Sequence, residues 1–253
     1  MIAVVRNGSE GPLGRHRTMH GRVVEWLGRR IVSGELADGS QLPNEAQLAA
    51  ELNVSRGGVR EAIKALAAKG LVEARPRLGT RVLPRDHWNL MDREVLRWHS
   101  GAADQRFLDD LLELRAMVEP GAAGRAAELA TDEQVRELEA ALAGMEHNAG
   151  GLPDTGKAFV DADVRFHLTL FRASGNQLVE HLGRLLETSL HHGLEVSSQA
   201  PGGVAATLPL HRAVVTAVRR RRPQAARSAM QRLLETTRRM VDEGRTSAAF
   251  GTP

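Results

Sequence analysis

The chain has no cysteine and no tyrosine in 253 residues. Without cysteine there is no disulfide, no thiolate zinc site and no thiol nucleophile. Lysine is nearly missing as well. Only Lys64, Lys69 and Lys157 stand among the 34 basic residues, so almost all positive charge is arginine. The planar arginine fork suits bidentate contacts to phosphate and guanine. No apolar run approaches the length of a membrane span, and residues 1–15 lack the apolar core of a signal peptide. A cytoplasmic location is the expectation. There is no nucleophile elbow. Gly151, Gly156 and Lys157 have the spacing of a phosphate-binding loop. However, Ala158 stands where the magnesium-binding Ser or Thr belongs, and no apolar strand precedes it.

The charge that is present is unevenly placed. Residues 1–85 carry 14 Lys+Arg against 8 Asp+Glu, and the remainder 20 against 23. A basic amino-terminal third on a mildly acidic body fits a DNA-binding domain joined to something else.

Residues 42–80 carry the strongest pattern. Asn44 is placed to cap a helix whose first turn holds Glu45. Leu48, Ala49 and Leu52 make a short apolar stripe, which Asn53 ends. Ser55 caps the next helix. There Val59, Ala62, Ile63 and Leu66 form a buried face, while Arg56, Arg60 and Lys64 line another. Three cations starting in the first turn oppose the helix dipole, a cost that a DNA groove would offset. Gly70 closes this helix. Residues 71–74 and 80–83 read as short strands around the basic turn Arg75-Pro76-Arg77-Leu78-Gly79. Residues 17–31 supply a further helix with Val23, Leu27 and Ile31 inward. The segment predicts a winged helix-turn-helix: one helix enters the major groove and a basic hairpin reaches sugar-phosphate or minor groove.

After Pro84 the pattern becomes helical throughout. Helices are expected over 104–131, from the Thr131-Asp132-Glu133-Gln134 cap onward, and over 157–173, 176–196, 207–222 and 224–243, with loops at 148–156 and 197–206. Six or seven helices with short connections imply an antiparallel bundle. The predicted class is mainly α: a winged helix-turn-helix at 16–84, a connecting segment at 85–103, an all-helical ligand-binding and dimerisation domain at 104–243, and flexible tails at 1–15 and 244–253.

Three polar residues stand out in the bundle. Asp163 and His167 are one helix turn apart, and His211 begins another helix amid Val214, Val215 and Val218. Converging, they would suit zinc, nickel or manganese. The same spacing also describes a salt-bridged or capping surface pair. Arg115, between Leu111 and Val118, is either a buried clamp for an anion or an exposed cation. The adjacent His191 and His192 point apart on a helix and read as solvent or pocket rim.

The order of motifs resembles the GntR family. The likeness is to its FCD subgroup, with the fatty-acid, lactate, gluconate and galactonate regulators. In the first domain the resemblance rests on Gly39-Ser40-Gln41-Leu42-Pro43-Asn44-Glu45, Val54-Ser55-Arg56, Val59-Arg60-Glu61-Ala62, Gly70-Leu71-Val72 and Gly79-Thr80. In the second it rests on Leu114-Arg115, Glu119-Pro120, Asp163, Phe166-His167, Ser174-Gly175-Asn176 and His211. It implies a homodimeric regulator, most often a repressor, that reads an inverted-repeat operator. Asn44, Ser55, Arg56, Gly57, Arg60, Lys64, Arg77, Gly79 and Thr80 would face DNA. Arg115 and Asn176 would bind a small carboxylate effector, and Asp163, His167 and His211 a divalent metal. Ala46 stands where relatives often carry an arginine, and Leu233 where the family's fourth metal ligand falls. Residues 86–98 resemble the connecting segment of sugar-acid regulators, which favours an aldonic acid. A metal-dependent enzyme with a DNA-binding head is the alternative, with Asp163, His167 and His211 as its metal triad. A dimeric DNA binder without an effector is a third reading.

Overall fold

The computed structural model describes residues 19–75, 77–100, 104–149, 155–199 and 202–250. Contacts divide the chain into two compact units, Met1–Trp98 and His99–Pro253.

The first unit contains α1 (Met19–Val32), α2 (Glu45–Leu52), α3 (Arg56–Ala68), β1 (Val72–Arg75), β2 (Gly79–Val82) and the start of α4 (Arg93–Ser100). Local chemistry sets the helix limits. Asn44 and Gln47 form a capping box on α2, and Asn53 ends it in the left-handed region at φ 51°. Ser55 Oγ accepts from the Gly58 N–H at 3.1 Å at the start of α3. At its far end the Gly70 and Leu71 N–H groups return to the Ala67 and Leu66 carbonyls, a Schellman closure. Gly70 sits at φ +74°, and a Cβ there would lie 2.0 Å from the His87 carbonyl oxygen, so glycine is required twice over.

Val59, Ala62, Ile63 and Leu66 of α3 are buried against Val23, Leu27 and Ile31 of α1 and Leu48 of α2. Each valine, leucine or isoleucine among them contributes roughly 1.5–3 kcal/mol of burial. The antiparallel wing pairs Val72 with Val82 and Arg75 with Gly79. Residues 39–42 extend it: the Leu42 N–H donates to Thr80 O and the Gly39 N–H to Val82 O.

The segment expected as a connector is partly core. Trp88, Val95 and Trp98 are buried with the first unit. The Trp98 ring fills the notch left by Gly28, where a Cβ would come within 2.4 Å of it. Trp98 Nε1 donates to Glu25 at 2.9 Å, and Arg97 also pairs with Glu25. The side chains at 88–98 therefore belong to the first unit rather than to a linker.

The second unit is a bundle of α5 (Gln105–Leu129), α6 (Asp132–Asn148), α7 (Thr155–Ala173), α8 (Gln177–Gln199), α9 (Gly203–Arg219) and α10 (Pro223–Phe250). The Thr131–Gln134 capping box starts α6. Leu138, Met145, Phe166, Leu170, Val214, Val218 and Met230 lie in its main core. Two expectations are corrected. α8 continues to Gln199 and α9 begins at Gly203, with Pro209 inside it, so most of 197–206 is helical. α10 runs to Phe250, which makes 244–250 helix rather than tail. The tails at 1–15 and 251–253 lie outside the described residues, as do Gly151–Asp154 of the discarded loop motif.

Candidate functional site

Two surfaces carry chemistry, one in each unit. On α3, Arg56, Arg60 and Lys64 are exposed along one face. Arg60 is held from the side by Glu45 of α2: Nε donates to Oε1 at 3.1 Å and Nη2 to Oε2 at 2.7 Å. The side-chain hydrogen bond from Arg60 holds the Glu45 carboxyl below its ordinary pKa. Lys64 pairs with Glu61 at 2.9 Å, and Arg56 makes no ion pair among the described residues. The oxygens of Asn44 and Ser55 serve the helix caps, which leaves the Asn44 amide N–H groups and the Ser55 O–H as donors.

Gly57 is exposed, and a Cβ there would meet only Ser55 Oγ, at 3.9 Å. Nothing among the described residues requires glycine at this position. At the wing tip Arg77 is exposed and lies in the left-handed region at φ 64°. Gly79, at φ +85°, lies against Gln41, whose Nε2 donates to the Leu78 carbonyl at 2.7 Å. Thr80 is half-buried. Pro76 lies outside the described residues.

The second surface is internal. Asp163 and His167 project from α7, His211 from α9, and Arg115 and Glu119 from α5; all five are buried. One ligand atom each from Asp163, His167 and His211 lies within 4.8 Å of the others. Asp163 Oδ1 is 3.2 Å from His167 Nε2 and 3.0 Å from His211 Nε2. Arg115 Nε donates to Glu119 Oε1 at 2.7 Å, and the other Glu119 oxygen lies 2.8 Å from His167 Nδ1. Burial raises the Glu119 pKa, but the Arg115 and His167 charges overcome it and bring it to about 2. Asp163 is likewise pushed up by burial and held well below the usual carboxylate range by His211 and His167. Burial opposes charge on His167, yet Glu119 holds its pKa above the ordinary imidazole value.

The cluster contains a conflict over protons. Arg115 Nη2 lies 3.0 Å from His167 Nε2. Arginine cannot accept, so that contact needs a lone pair on the nitrogen. Asp163, beside the same nitrogen, needs a proton on it. His211 faces acceptors on both sides, with Nδ1 2.9 Å from the Thr207 carbonyl and Nε2 against Asp163. Arg115 Nη1 is buried without a hydrogen-bond partner, and Glu119 Oε2 and His167 Nδ1 face each other at ion-pair distance without hydrogen-bond geometry.

The side chains close around these groups and leave a cavity of only about 10 Å³, also lined by Ser197, Ser198, Thr207 and Thr237, so an effector larger than an ion needs the lining to part. Leu233 lines it too and is buried, so the expected fourth-ligand position faces the site with a hydrocarbon side chain.

Sequence reasoning named Asp163, His167, His211 and Arg115, which the structure brings together. It did not assign Glu119 a role, although the Arg115-x-x-x-Glu119 spacing puts both on one face of α5. Asn176 is corrected. Its Oδ1 caps α8 by accepting from the Leu178 and Val179 N–H groups. Ser197 is twenty residues beyond Gln177 on that helix, about 30 Å along its axis. Asn176 therefore has no place in this cavity. His191 pairs with Asp161 at 3.0 Å, and neither His191 nor His192 lines the cavity.

The family model described as "Bacterial regulatory proteins, gntR family" matches residues 20–82, and the FCD domain model matches residues 110–236. The chain belongs to the GntR family. As a GntR-family chain with an FCD domain it is a DNA-binding transcriptional regulator, and the enzyme alternative is not favoured. The galactonate operon transcriptional repressor of Escherichia coli is 33% identical over 88% of this chain and 96% of that protein. The uncharacterized HTH-type transcriptional regulator YieP of the same organism is 33% identical over 85% of this chain and 91% of its own. Among solved structures, Streptococcus agalactiae GntR aligns at 29% identity and a TM-score of 0.49, over 87% of this chain and 99% of that one. No described helix of this GntR-family chain is long and apolar enough to cross a membrane.

Proposed function

We propose that the protein is a homodimeric repressor. Its two α3 helices read an inverted repeat, and its bundle binds a metal ion together with a small hydroxy acid. The carrying observation is the proton conflict in the buried cluster. A cation among Asp163 Oδ1, His167 Nε2 and His211 Nε2 would remove the need for a proton at either Asp163 contact, and Arg115 Nη2, displaced from the His167 lone pair, would turn to an anion beside the ion. Both Nε2 atoms then offer lone pairs, with the protons on Nδ1 facing Glu119 and the Thr207 carbonyl, the usual outer support for metal-bound imidazole. The three side chains present fit such an ion. Zinc, nickel and manganese accept this donor set, and Leu233 leaves positions open. A bound ion there would supply Lewis-acid positions for a carboxylate and a neighbouring hydroxyl.

Arg115 offers its unpartnered Nη1 to the effector's carboxylate. Ser197, Ser198, Thr207 and Thr237 each donate to a carbonyl of their own helix, so their oxygens remain acceptors for effector hydroxyls. The galactonate relative supports a sugar acid. For the effector to control DNA binding, it must bind one arrangement of the dimer more tightly than the other.

The test pairs elemental analysis with melting. Purified protein should hold about one transition-metal equivalent per chain, and His211→Ala should lose it. Galactonate or gluconate at 100 times its Kd should add about 2.7 kcal/mol of stability. Wild-type protein free of metal and unmoved by any sugar acid would sink the reading.

On the DNA side we propose that Arg56, Arg60 and Lys64 enter the groove, with Asn44, Ser55 and Thr80 as polar contacts and the Arg77–Gly79 tip on the adjacent backbone. Gly57 supports this reading. Glycine in a helix costs roughly 0.5–1 kcal/mol relative to alanine, and here the fold gains no room from it. Its missing side chain suits close approach of a phosphate. Gly57→Ala should raise the melting temperature by a few degrees and weaken operator binding; equal affinity in a titration would show that α3 does not approach DNA there.

A further inference from the structure

We infer that the junction of α9 and α10 carries a second, separate ligand site, a cleft for a small polyphosphate anion. From Arg212 to Arg232 the chain holds seven arginines and no Asp or Glu. They sit on a unit that is otherwise mildly acidic. Arg227 lies against Gly124 of α5, and the fold sorts the other six into two sets. Arg212 pairs with Glu146 and Arg219 with Glu139. Arg221 stands in the left-handed region at φ 52°, with Nη1 donating to the Ala130 carbonyl and Nη2 3.6 Å from Asp132. These three pin the corner to α6 and to the turn before it.

Arg220, Arg222 and Arg232 have no ion-pair partner among the described residues, and all three line one cleft. Its volume is about 380 Å³. Arg212 and Thr216 contribute further polar groups, Ala217 and Ala229 form a buried floor, and among the described residues no carboxylate lines it.

The corner is built to keep this arrangement. The Arg221 and Arg222 N–H groups bond back to Val218 O and Ala217 O, a Schellman closure of α9. Pro223 then opens α10 as its first residue, so the amino-terminal end of a long helix lies beside the same cleft. Like charges held together at a fixed corner repel unless an anion joins them. Arginine forks bind phosphoryl oxygens in pairs. A concave cleft with an apolar floor suits a compact anion with two or three phosphoryl groups better than a rod of duplex DNA. None of these residues lines the Asp163–His211 cavity. The site is therefore a separate input to the regulator.

The experiment is calorimetric titration of the full chain with sodium tripolyphosphate at physiological chloride concentration. The expected result is saturable binding of one anion per chain. The exposed triple variant Arg220→Gln/Arg222→Gln/Arg232→Gln should weaken it at least tenfold with an unchanged melting temperature. Arg184→Gln, on α8, should leave it unchanged. Absent binding, or an isotherm equally weakened by Arg184→Gln, overturns the proposal. So does a triple variant that still binds tripolyphosphate but no longer retains duplex DNA of unrelated sequence, for the cleft would then serve the nucleic acid backbone.

Discussion

Arg60→Ala is expected to weaken operator binding by roughly 5- to 150-fold for each DNA-binding head, and by the square of that factor on a two-fold operator. The argument is geometric. Glu45 takes the Nε and Nη2 side of the Arg60 guanidinium. The end formed by Nη1 and Nη2 stays open, and that end can meet O6 and N7 of a guanine. An unheld arginine would lose rotamer freedom on binding, whereas this one is already oriented. Stability should scarcely change, because the pair is exposed and such pairs contribute little to folding.

Two further readouts separate base reading from general charge. Arg60→Lys should not restore affinity, since an ammonium has no fork. Glu45→Gln should relax preference at one base pair per half-site while costing less affinity than Arg60→Ala. Fluorescence anisotropy at fixed salt, across single-base operator variants, measures both. If Arg60→Ala lowers affinity equally for every sequence and the salt slope falls by about one per head, Arg60 contacts phosphate instead.

The DNA-binding half was legible because its signals are local. A cap such as Ser55, a stop such as Gly70, and the i, i+4, i+7 series Val59, Ile63, Leu66 depend on neighbours a few residues away. The buried cluster was legible only as candidates. Asp163 and His167 are local to each other, but the meaning of His211 and Glu119 comes from α5, α7 and α9 packing together. Asn176 shows the opposite failure. A polar residue before a helix is an equally good cap and ligand on paper, and only the length of α8 decides. Trp98 could not be placed from periodicity, because its pocket is the missing side chain of Gly28 on another helix. Residues 197–206 misled through composition: Ser197 and Ser198 lie in the last turn of α8, and Gly202 and Gly203 open α9.

Arg115→Met is expected to cost about 3–5 kcal/mol of folding stability, far more than loss of an ordinary surface arginine. Glu119 is fully buried, and its charge rests on Arg115 Nε at 2.7 Å and His167 Nδ1 at 2.8 Å. Methionine keeps much of the volume and removes the cation. The carboxylate would then be left inside the bundle with one imidazole partner. Urea unfolding of the full chain, read by helical signal, measures the loss. The double variant Arg115→Met/Glu119→Gln should recover most of it, because replacing both members of a buried pair avoids the stranded charge. That recovery isolates function from folding. The double variant should be stable and still fail to respond to a sugar acid, since the guanidinium that meets the carboxylate is gone. A stable double variant with a normal effector response would leave Arg115 as a structural partner of Glu119 alone. A single variant losing under 1 kcal/mol would mean that the pair is not buried as described.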